Sequence, residues 1–167
     1  MYEFSAFELI VCGIAAAALL ALNAIFVGAE FSLVKLRFTR FGTGRMKEAK
    51  KSETVKALLE DMSASIKMLR LGISISTIGC AFLLLPLAYS LATRMGWAVG
   101  WELRFSLMTG LVVAVILHFV FGELVPRALA LQHPVRTIRA SLPVVIVFRV
   151  LARPLSAVLN AASSLVL

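Results

Sequence analysis

Acidic residues, cysteine and histidine are all scarce in this chain. Nine Asp and Glu residues stand against 17 Lys and Arg, and there are two cysteines and two histidines. Cys12 and Cys80 both lie within apolar segments, which favours small core residues over a disulfide framework or a metal pair. Because the sequence has no thiolate or imidazole cluster, a site for a soft metal such as zinc or copper is disfavoured.

The signatures of an intramembrane enzyme are also missing. The sequence has no His-Glu-x-x-His pair, no paired aspartates within apolar runs and no Ser–His pair on adjoining apolar faces. The apolar run near the N-terminus has no basic segment before it and is too long for a cleaved signal. We therefore expect a protein that is not an enzyme and that keeps its first apolar segment in the membrane.

Apolar residues dominate what is present. They make up 60% of the chain, against roughly 45–50% in soluble domains. The sequence predicts an all-α integral membrane protein, with a core at 1–134 and three spans at about 6–34, 66–91 and 105–131. The formal net charge of +8 does not indicate nucleic acid, because the basic residues lie beside the apolar spans, where they set the orientation of the protein in membrane lipid.

The distribution of basic residues predicts the orientation. Ten lie from Lys35 to Arg70, five from Arg127 onward, and two in the short segment 93–104. By the positive-inside rule, the N-terminus is outside and the long loop and C-terminus are cytoplasmic. Within that loop, 49–62 has the pattern of an amphipathic helix, whose apolar side would hold Val55, Leu58, Leu59 and Met62.

The last segment, 135–167, combines short apolar runs with arginines and prolines. Its longest apolar run, at about 142–151, is too short to span a membrane. We expect re-entrant or juxtamembrane interfacial helices here. The apolar run at the chain's end has no polar tail, so we also expect a longer natural protein that continues into a cytoplasmic domain.

One stretch near the end of the third span, Phe119 to Arg127, carries the clearest chemical signal. Glu123 lies where lipid is expected, and an ionisable group there marks a functional site by default. Pro126 lacks an N–H, so the carbonyl of Gly122 loses its helical partner and needs a neighbouring group, a water or an ion. A carboxylate beside an unpaired carbonyl suits a hard cation, although a kinked helix with a protonated or salt-bridged Glu123 fits equally well.

Other polar residues occur in or near the predicted spans. Asn23 could be a ligand or a hydrogen-bonding link between helices. Ser74 and Thr77 share a helical face and could be neutral ligands or could bond to their own backbone. We favour an ion pair with the basic segment for Glu30, and a packed or hydrogen-bonded role over a ligand role for His118.

Three stretches together resemble one known family. They are Ala21–Lys35, with Asn23 and Glu30, then Leu71–Ser74, then the Gly-Glu-Leu-Val-Pro-Arg element at 122–127. In order and spacing they are similar to the transmembrane domain (DUF21) of the CorC/CNNM (cyclin M) magnesium transporter family. The resemblance covers nearly the whole chain, and the last motif is its most specific part.

The resemblance implies a homodimer of three-helix protomers in the cell membrane, followed in the full protein by nucleotide-binding CBS domains. It implies Mg²⁺ export, coupled to Na⁺, with a cation site at Asn23, the hydroxyls of Ser74 and Thr77, Gly122 and Glu123. Ile73 stands where animal members tend to carry Asn, so the choice between Ser74 and Thr77 stays open. The alternative function is a membrane anchor and dimer scaffold that transports nothing.

Overall fold

The computed structural model describes residues 5–39, 44, 52–94 and 101–166, without the side chains of 91, 101–103, 106 and 153–166. All the regular elements in these ranges are helical. In chain order they are α1 (Ala6–Phe38), α2 (Glu53–Glu60), α3 (Met62–Arg94), α4 (Trp101–Phe119), a π-helical turn (Val120–Leu124), α5 (Val125–Gln132) and α6 (Pro134–Val166).

Three of the helical stretches in the described ranges are long and apolar enough to cross a membrane. They are Ala6–Phe38, Met62–Arg94 and Leu107–Gln132. In the third, only 6% of the most apolar window is buried within the chain. Side chains of this kind need a lipid surrounding, because water would not tolerate so much exposed apolar surface. The predicted class, an all-α membrane protein with three spans, is confirmed.

Local sequence signals set several helix ends. At the start of α1 the backbone N–H of Ser5 donates to Glu8 Oε2 (2.7 Å), and that of Glu8 donates to Ser5 Oγ (3.2 Å). This reciprocal pair is a capping box. At the start of α3, Asp61 Oδ1 accepts from the backbone N–H of Ala64 at 3.2 Å. Pro134 begins α6, a position where its missing N–H costs nothing.

Two segments lie outside the predicted spans, and the sequence predicted the structure of one of them more accurately than that of the other. The amphipathic helix of the basic loop is confirmed over Glu53–Glu60, where α2 buries Val55, Leu58 and Leu59, whereas Met62 belongs to α3 and is half-buried. Residues 49–51 of that prediction lie outside the described ranges. Beyond Pro134, where we expected re-entrant or juxtamembrane interfacial helices, the structure has one helix of 33 residues. Its place at the membrane surface stays a prediction.

The chain divides into two compact units. The first unit comprises Met1–Ala24 and Ser74–Val125, and the second comprises Ile25–Ile73 and Pro126–Leu167. In the first unit the helices approach through small residues, which is common in membranes. A Cβ on Gly79 would lie 2.9 Å from Leu19 Cδ1, and Cys80 Sγ lies 3.7 Å from the carbonyl oxygen of Ala16.

The second unit packs around large side chains. Leu33, Leu36, Leu58, Leu69 and Ile138 are fully buried there. The ring of Phe26 lies 4.8 Å from that of Phe148 and closes over Gly72, where a Cβ would be 2.8 Å from the ring. Arg127 stacks on the Phe31 ring at 4.4 Å, a cation–π contact. This unit therefore combines dense packing with paired charge.

Candidate cation site

The helix that continues from α4 loosens its winding just before Pro126. Val120–Leu124 forms a π-helical turn, in which the backbone N–H of Val125 donates to the carbonyl of Val120. Such turns are rare and occur frequently at functional sites. The turn contains both Gly122, which is buried, and Glu123. The sequence predicted a disturbance here from the missing N–H of Pro126, but it did not predict a π-helical geometry.

Asn23 of α1 provides the partner that the Gly122 carbonyl was expected to need. Its side chain is 2% exposed, and Nδ2 donates to the Gly122 carbonyl oxygen at 3.0 Å. The opposite amide orientation would bring two acceptors together, so this hydrogen bond fixes which atom is Nδ2. Consequently Oδ1 of Asn23 points away from Gly122 and remains available to other groups.

Thr77 of α3 and His118 of α4 complete this polar group. Thr77 Oγ1 lies 3.4 Å from Asn23 Oδ1 and 3.3 Å from His118 Nε2, while Asn23 Nδ2 lies 3.5 Å from the same nitrogen. These are long hydrogen bonds, and the favoured separations are about 2.7–3.0 Å. His118 is therefore hydrogen-bonded, as expected, and the expectation that it is not a ligand stays a prediction. We refer to Asn23, Thr77, His118 and Gly122 as the polar cluster.

The two candidate hydroxyls of the second span are placed differently. Thr77 belongs to the polar cluster, whereas Ser74 is exposed. Within the described residues, no hydrogen bond joins Ser74 to Asn23, Thr77 or Gly122. The difference arises because residues three apart on a helix diverge by about 60° around its axis, enough to separate an inward position from an outward one.

Gly122 leaves space that the cluster occupies. A Cβ at this position would lie 2.9 Å from Asn23 Nδ2, 3.0 Å from Leu20 Cδ1 and 3.6 Å from His118 Cε1. The first separation is shorter than real Cβ contacts, so any larger residue would displace the amide of Asn23. Glycine is thus required here by the close approach of a side chain and not by an unusual backbone conformation.

The two carboxylates named from the sequence lie in different units. Glu123 is partly exposed and directly follows Gly122 in the first unit. Glu30 belongs to the second unit, where its Oε1 accepts from Arg70 Nε at 3.0 Å. The ion pair that we favoured for Glu30 is confirmed, and its partner comes from the basic segment as expected.

The chemistry offered by the first unit is that of oxygen ligands. The cluster presents an amide oxygen, a hydroxyl and a backbone carbonyl, and Glu123 adds a carboxylate. Among the residues that the structure describes, no group of three or more His, Cys, Asp or Glu side chains is placed to hold a metal ion. An arrangement with mostly neutral oxygen ligands and one acid suits hard cations such as Mg²⁺ better than soft ones.

A cavity of about 670 Å³ adjoins this cluster in the first unit. Apolar residues line most of it, from small ones such as Ala16 and Gly110 to leucines such as Leu20 and Leu84. Thr77 and His118, both members of the polar cluster, also line it. The cluster therefore borders an apolar space.

Helices of this length and composition, with a polar cluster between them, define an α-helical membrane protein with several spans. The sequence profile of the cyclin M (CNNM) transmembrane N-terminal domain matches residues 14–167, and the chain belongs to this family. The similarity extends to curated bacterial proteins. UPF0053 protein MT1890 of Mycobacterium tuberculosis (strain CDC 1551 / Oshkosh) is 33% identical over 88% of this chain and 34% of its own length.

A second relative gives a similar result. UPF0053 protein YhdT of Bacillus subtilis (strain 168) is 30% identical over 68% of this chain and 26% of its own length. The chain thus spans about a third of the first of these relatives and about a quarter of the second. The resemblance inferred from the three sequence stretches is confirmed at the level of the family.

His118 is the member of the cluster that sequence reasoning gave no ligand role. His118 lies five residues before Glu123, and two positions at this spacing do not share a face of an α-helix. A signal was nonetheless present, because His118 precedes Gly122 by four residues and a spacing of four brings side chains to one face.

Proposed function

We propose that this chain binds Mg²⁺ within the membrane and exports it, in exchange for Na⁺, across the cell membrane. The observation that carries the proposal is the meeting of Asn23, Thr77 and the Gly122 carbonyl at a π-helical turn that also holds Glu123. Membership of the cyclin M family supports a membrane role for the chain.

The ligands proposed for the cation are oxygens. Mg²⁺ requires near-octahedral oxygen ligation at about 2.0–2.1 Å and usually keeps several waters. Asn23 Oδ1, Thr77 Oγ1 and the Gly122 carbonyl supply neutral oxygens, and Glu123 supplies the charge. The Gly122 carbonyl oxygen has two lone pairs, so it can contact the cation while it keeps the hydrogen bond of 3.0 Å from Asn23 Nδ2. Ser74, which is exposed, is the weakest candidate in the set.

The charge balance of the site favours release as much as binding. One carboxylate leaves a bound dication with a net positive charge in a medium of low dielectric constant, so the affinity is modest. Binding of Na⁺ to the same oxygens would replace a divalent ion with a monovalent one and would assist the release of Mg²⁺. The interruption from Gly122 to Pro126 gives the third span a place to change shape during alternating access.

The assembly and orientation are part of the same proposal. The chain forms a homodimer surrounded by lipid, with its N-terminus outside and its C-terminus cytoplasmic. The basic residues of α2 and the segments beside it support this orientation.

The first test is calorimetric titration of Mg²⁺ into detergent-purified protein, comparing wild type with Glu123→Gln. We expect saturable binding in the wild type and none in the variant. Glu60→Gln is the matched control, because this carboxylate lies on α2 in a surface pair with Lys56 at 3.8 Å and its loss leaves the cluster untouched. Sodium-driven Mg²⁺ flux in sealed vesicles then follows with the same three proteins.

The same titration separates the two hydroxyls. We expect Thr77→Val, which keeps the side-chain shape, to weaken Mg²⁺ binding about tenfold, which corresponds to about 1.4 kcal/mol. Ser74→Ala should leave the affinity within about twofold of wild type, since Ser74 is exposed. Two results would favour the scaffold function, with Asn23 as a structural link between helices. One is a folded wild-type protein that binds no Mg²⁺, and the other is Mg²⁺ binding that is the same in the wild type and in Glu123→Gln.

A further inference from the structure

Among the side chains of the polar cluster, only the imidazole of His118 has a nitrogen that can offer a lone pair to a cation. It lines the same cavity as Thr77, and its Nε2 atom, not Nδ1, faces both Thr77 and Asn23. The chain has only two histidines, and the other, His133, is exposed in the second unit. This makes His118 unusually easy to isolate by experiment.

Two polar side chains lie within hydrogen-bonding distance of Nε2. Asn23 Nδ2 lies 3.5 Å from it, and an amide nitrogen can only donate. The hydroxyl of Thr77, at 3.3 Å, can donate or accept. In the tautomer that carries its proton on Nδ1, Nε2 accepts the hydrogen bond from Asn23 and has the lone pair that a metal ligand requires. Nε2 then faces Asn23 Nδ2 and Thr77 Oγ1, and the same Thr77 oxygen contacts Asn23 Oδ1.

The spacing of these atoms is close to that of metal ligands. In an octahedral site with bonds of about 2.1 Å, neighbouring ligands are about 3.0 Å apart. Thr77 Oγ1 lies 3.4 Å from Asn23 Oδ1 and 3.3 Å from His118 Nε2. A contraction of about 0.3–0.4 Å, well within side-chain adjustment, would turn these long hydrogen bonds into two edges of a coordination octahedron.

We propose that His118 supplies Nε2 as a nitrogen ligand to the cation site, which thereby accepts first-row divalent cations of the Mn²⁺ type as well as Mg²⁺. The inference rests on the proposed function, because it concerns the same site. Imidazole adds affinity for transition ions, whereas Mg²⁺ gains little from nitrogen. The identity of residue 118 therefore sets the selectivity between the two kinds of ion.

The experiment uses Mn²⁺ as the probe and the purified full chain. Pulsed electron paramagnetic resonance detects nitrogen bound directly to Mn²⁺, and ¹⁵N labelling of histidine alone identifies its source. We expect a directly coupled nitrogen in the wild type that changes from ¹⁴N to ¹⁵N with the label. The signal should persist in His133→Gln, the matched control, and disappear in His118→Gln.

Affinities provide the second readout. We expect His118→Gln to weaken Mn²⁺ binding by at least about tenfold, the lower end of what loss of even an outer-shell partner costs a metal site. Mg²⁺ affinity should change by less than about threefold, and added Mg²⁺ should displace Mn²⁺ from the wild type.

The outcomes distinguish the two proposals. If Mg²⁺ binds but Mn²⁺ does not, or Mn²⁺ binds without histidine coupling, the nitrogen ligand is refuted and the Mg²⁺ site stands. If neither ion binds to folded wild-type protein, both proposals fail. The labelling result comes from the wild type, so it decides the question even if His118→Gln does not fold.

Discussion

The two units of this chain use polar groups in opposite ways. In the first unit the polar cluster combines one hydrogen bond of ordinary length, from Asn23 to Gly122 at 3.0 Å, with longer ones to Thr77 and His118, and it borders an apolar cavity of about 670 Å³. In the second unit the polar groups are charged and closely matched, as in the pair of Glu30 with Arg70 at 3.0 Å and the stacking of Arg127 on Phe31. The first arrangement can exchange partners at little cost, and the second stabilises one structure.

This difference indicates where function and stability separate. A site that binds and releases an ion needs ligands whose hydrogen bonds are weak enough to be replaced. A packed unit needs contacts that are lost only on unfolding. Substitutions in the first unit should therefore change ion affinity more than stability, and substitutions in the second unit should do the reverse.

The largest expected effect is that of Gly122→Ala on Mg²⁺ binding. The new Cβ would lie 2.9 Å from Asn23 Nδ2, and because an amide at the end of a side chain can move, the protein should fold while the cluster is displaced. We expect calorimetric Mg²⁺ binding to be lost. Gly110→Ala is the matched control, since its Cβ would meet only Ala88 at 3.7 Å. Normal affinity in Gly122→Ala would show that Asn23 is not a ligand.

A smaller effect, on stability alone, is expected for Gly72→Ala in the second unit. The Cβ would lie 2.8 Å from the ring of Phe26, which is 3% exposed and held against Phe148. Overpacking destabilises by about 1–3 kcal/mol, and the higher helix propensity of alanine stabilises by about 0.5–1 kcal/mol. We therefore expect the free energy of unfolding to fall by about 1–2 kcal/mol. The midpoint of unfolding in sodium dodecyl sulfate would measure it.

The control for Gly72→Ala is Gly13→Ala, since a Cβ at Gly13 meets nothing within 4 Å. Gly13→Ala should be as stable as the wild type or slightly more so. Mg²⁺ affinity should be unchanged in both proteins. A Gly72→Ala protein of normal stability with impaired Mg²⁺ binding would contradict the separation of roles between the units.

The smallest effect is expected for Arg70→Ala. Its partner Glu30 has a side chain only 11% exposed, but Arg70 itself is 72% exposed, so solvent already screens the pair. We expect Arg70→Ala to lower the free energy of unfolding by about 1 kcal/mol. Lys56→Ala should lower it by about 0.3 kcal/mol, because both side chains of the Lys56–Glu60 pair, 3.8 Å apart, are exposed. Paired unfolding curves would check this, and equal losses would mean that burial of Glu30 contributes nothing.

Structural features that depend on residues close together in the sequence were predicted correctly. The three spans follow from hydropathy and length, and α2 follows from the spacing of Val55, Leu58 and Leu59. The need of the Gly122 carbonyl for a partner follows from the proline four residues later. Past Pro134 the same reasoning was less successful, because proline and arginine suggested separate pieces where the chain forms one helix.

The sequence by itself therefore determined the class of protein, the family and the position of the helical interruption, since each depends on local composition or on a motif. Only the tertiary structure decided that Asn23 is the partner of Gly122, that Thr77 and not Ser74 joins it, and that His118 completes the cluster. The reason is geometric. Which side of each helix faces the others depends on its rotation about its own axis, and an almost uniformly apolar span carries little periodicity to fix that rotation.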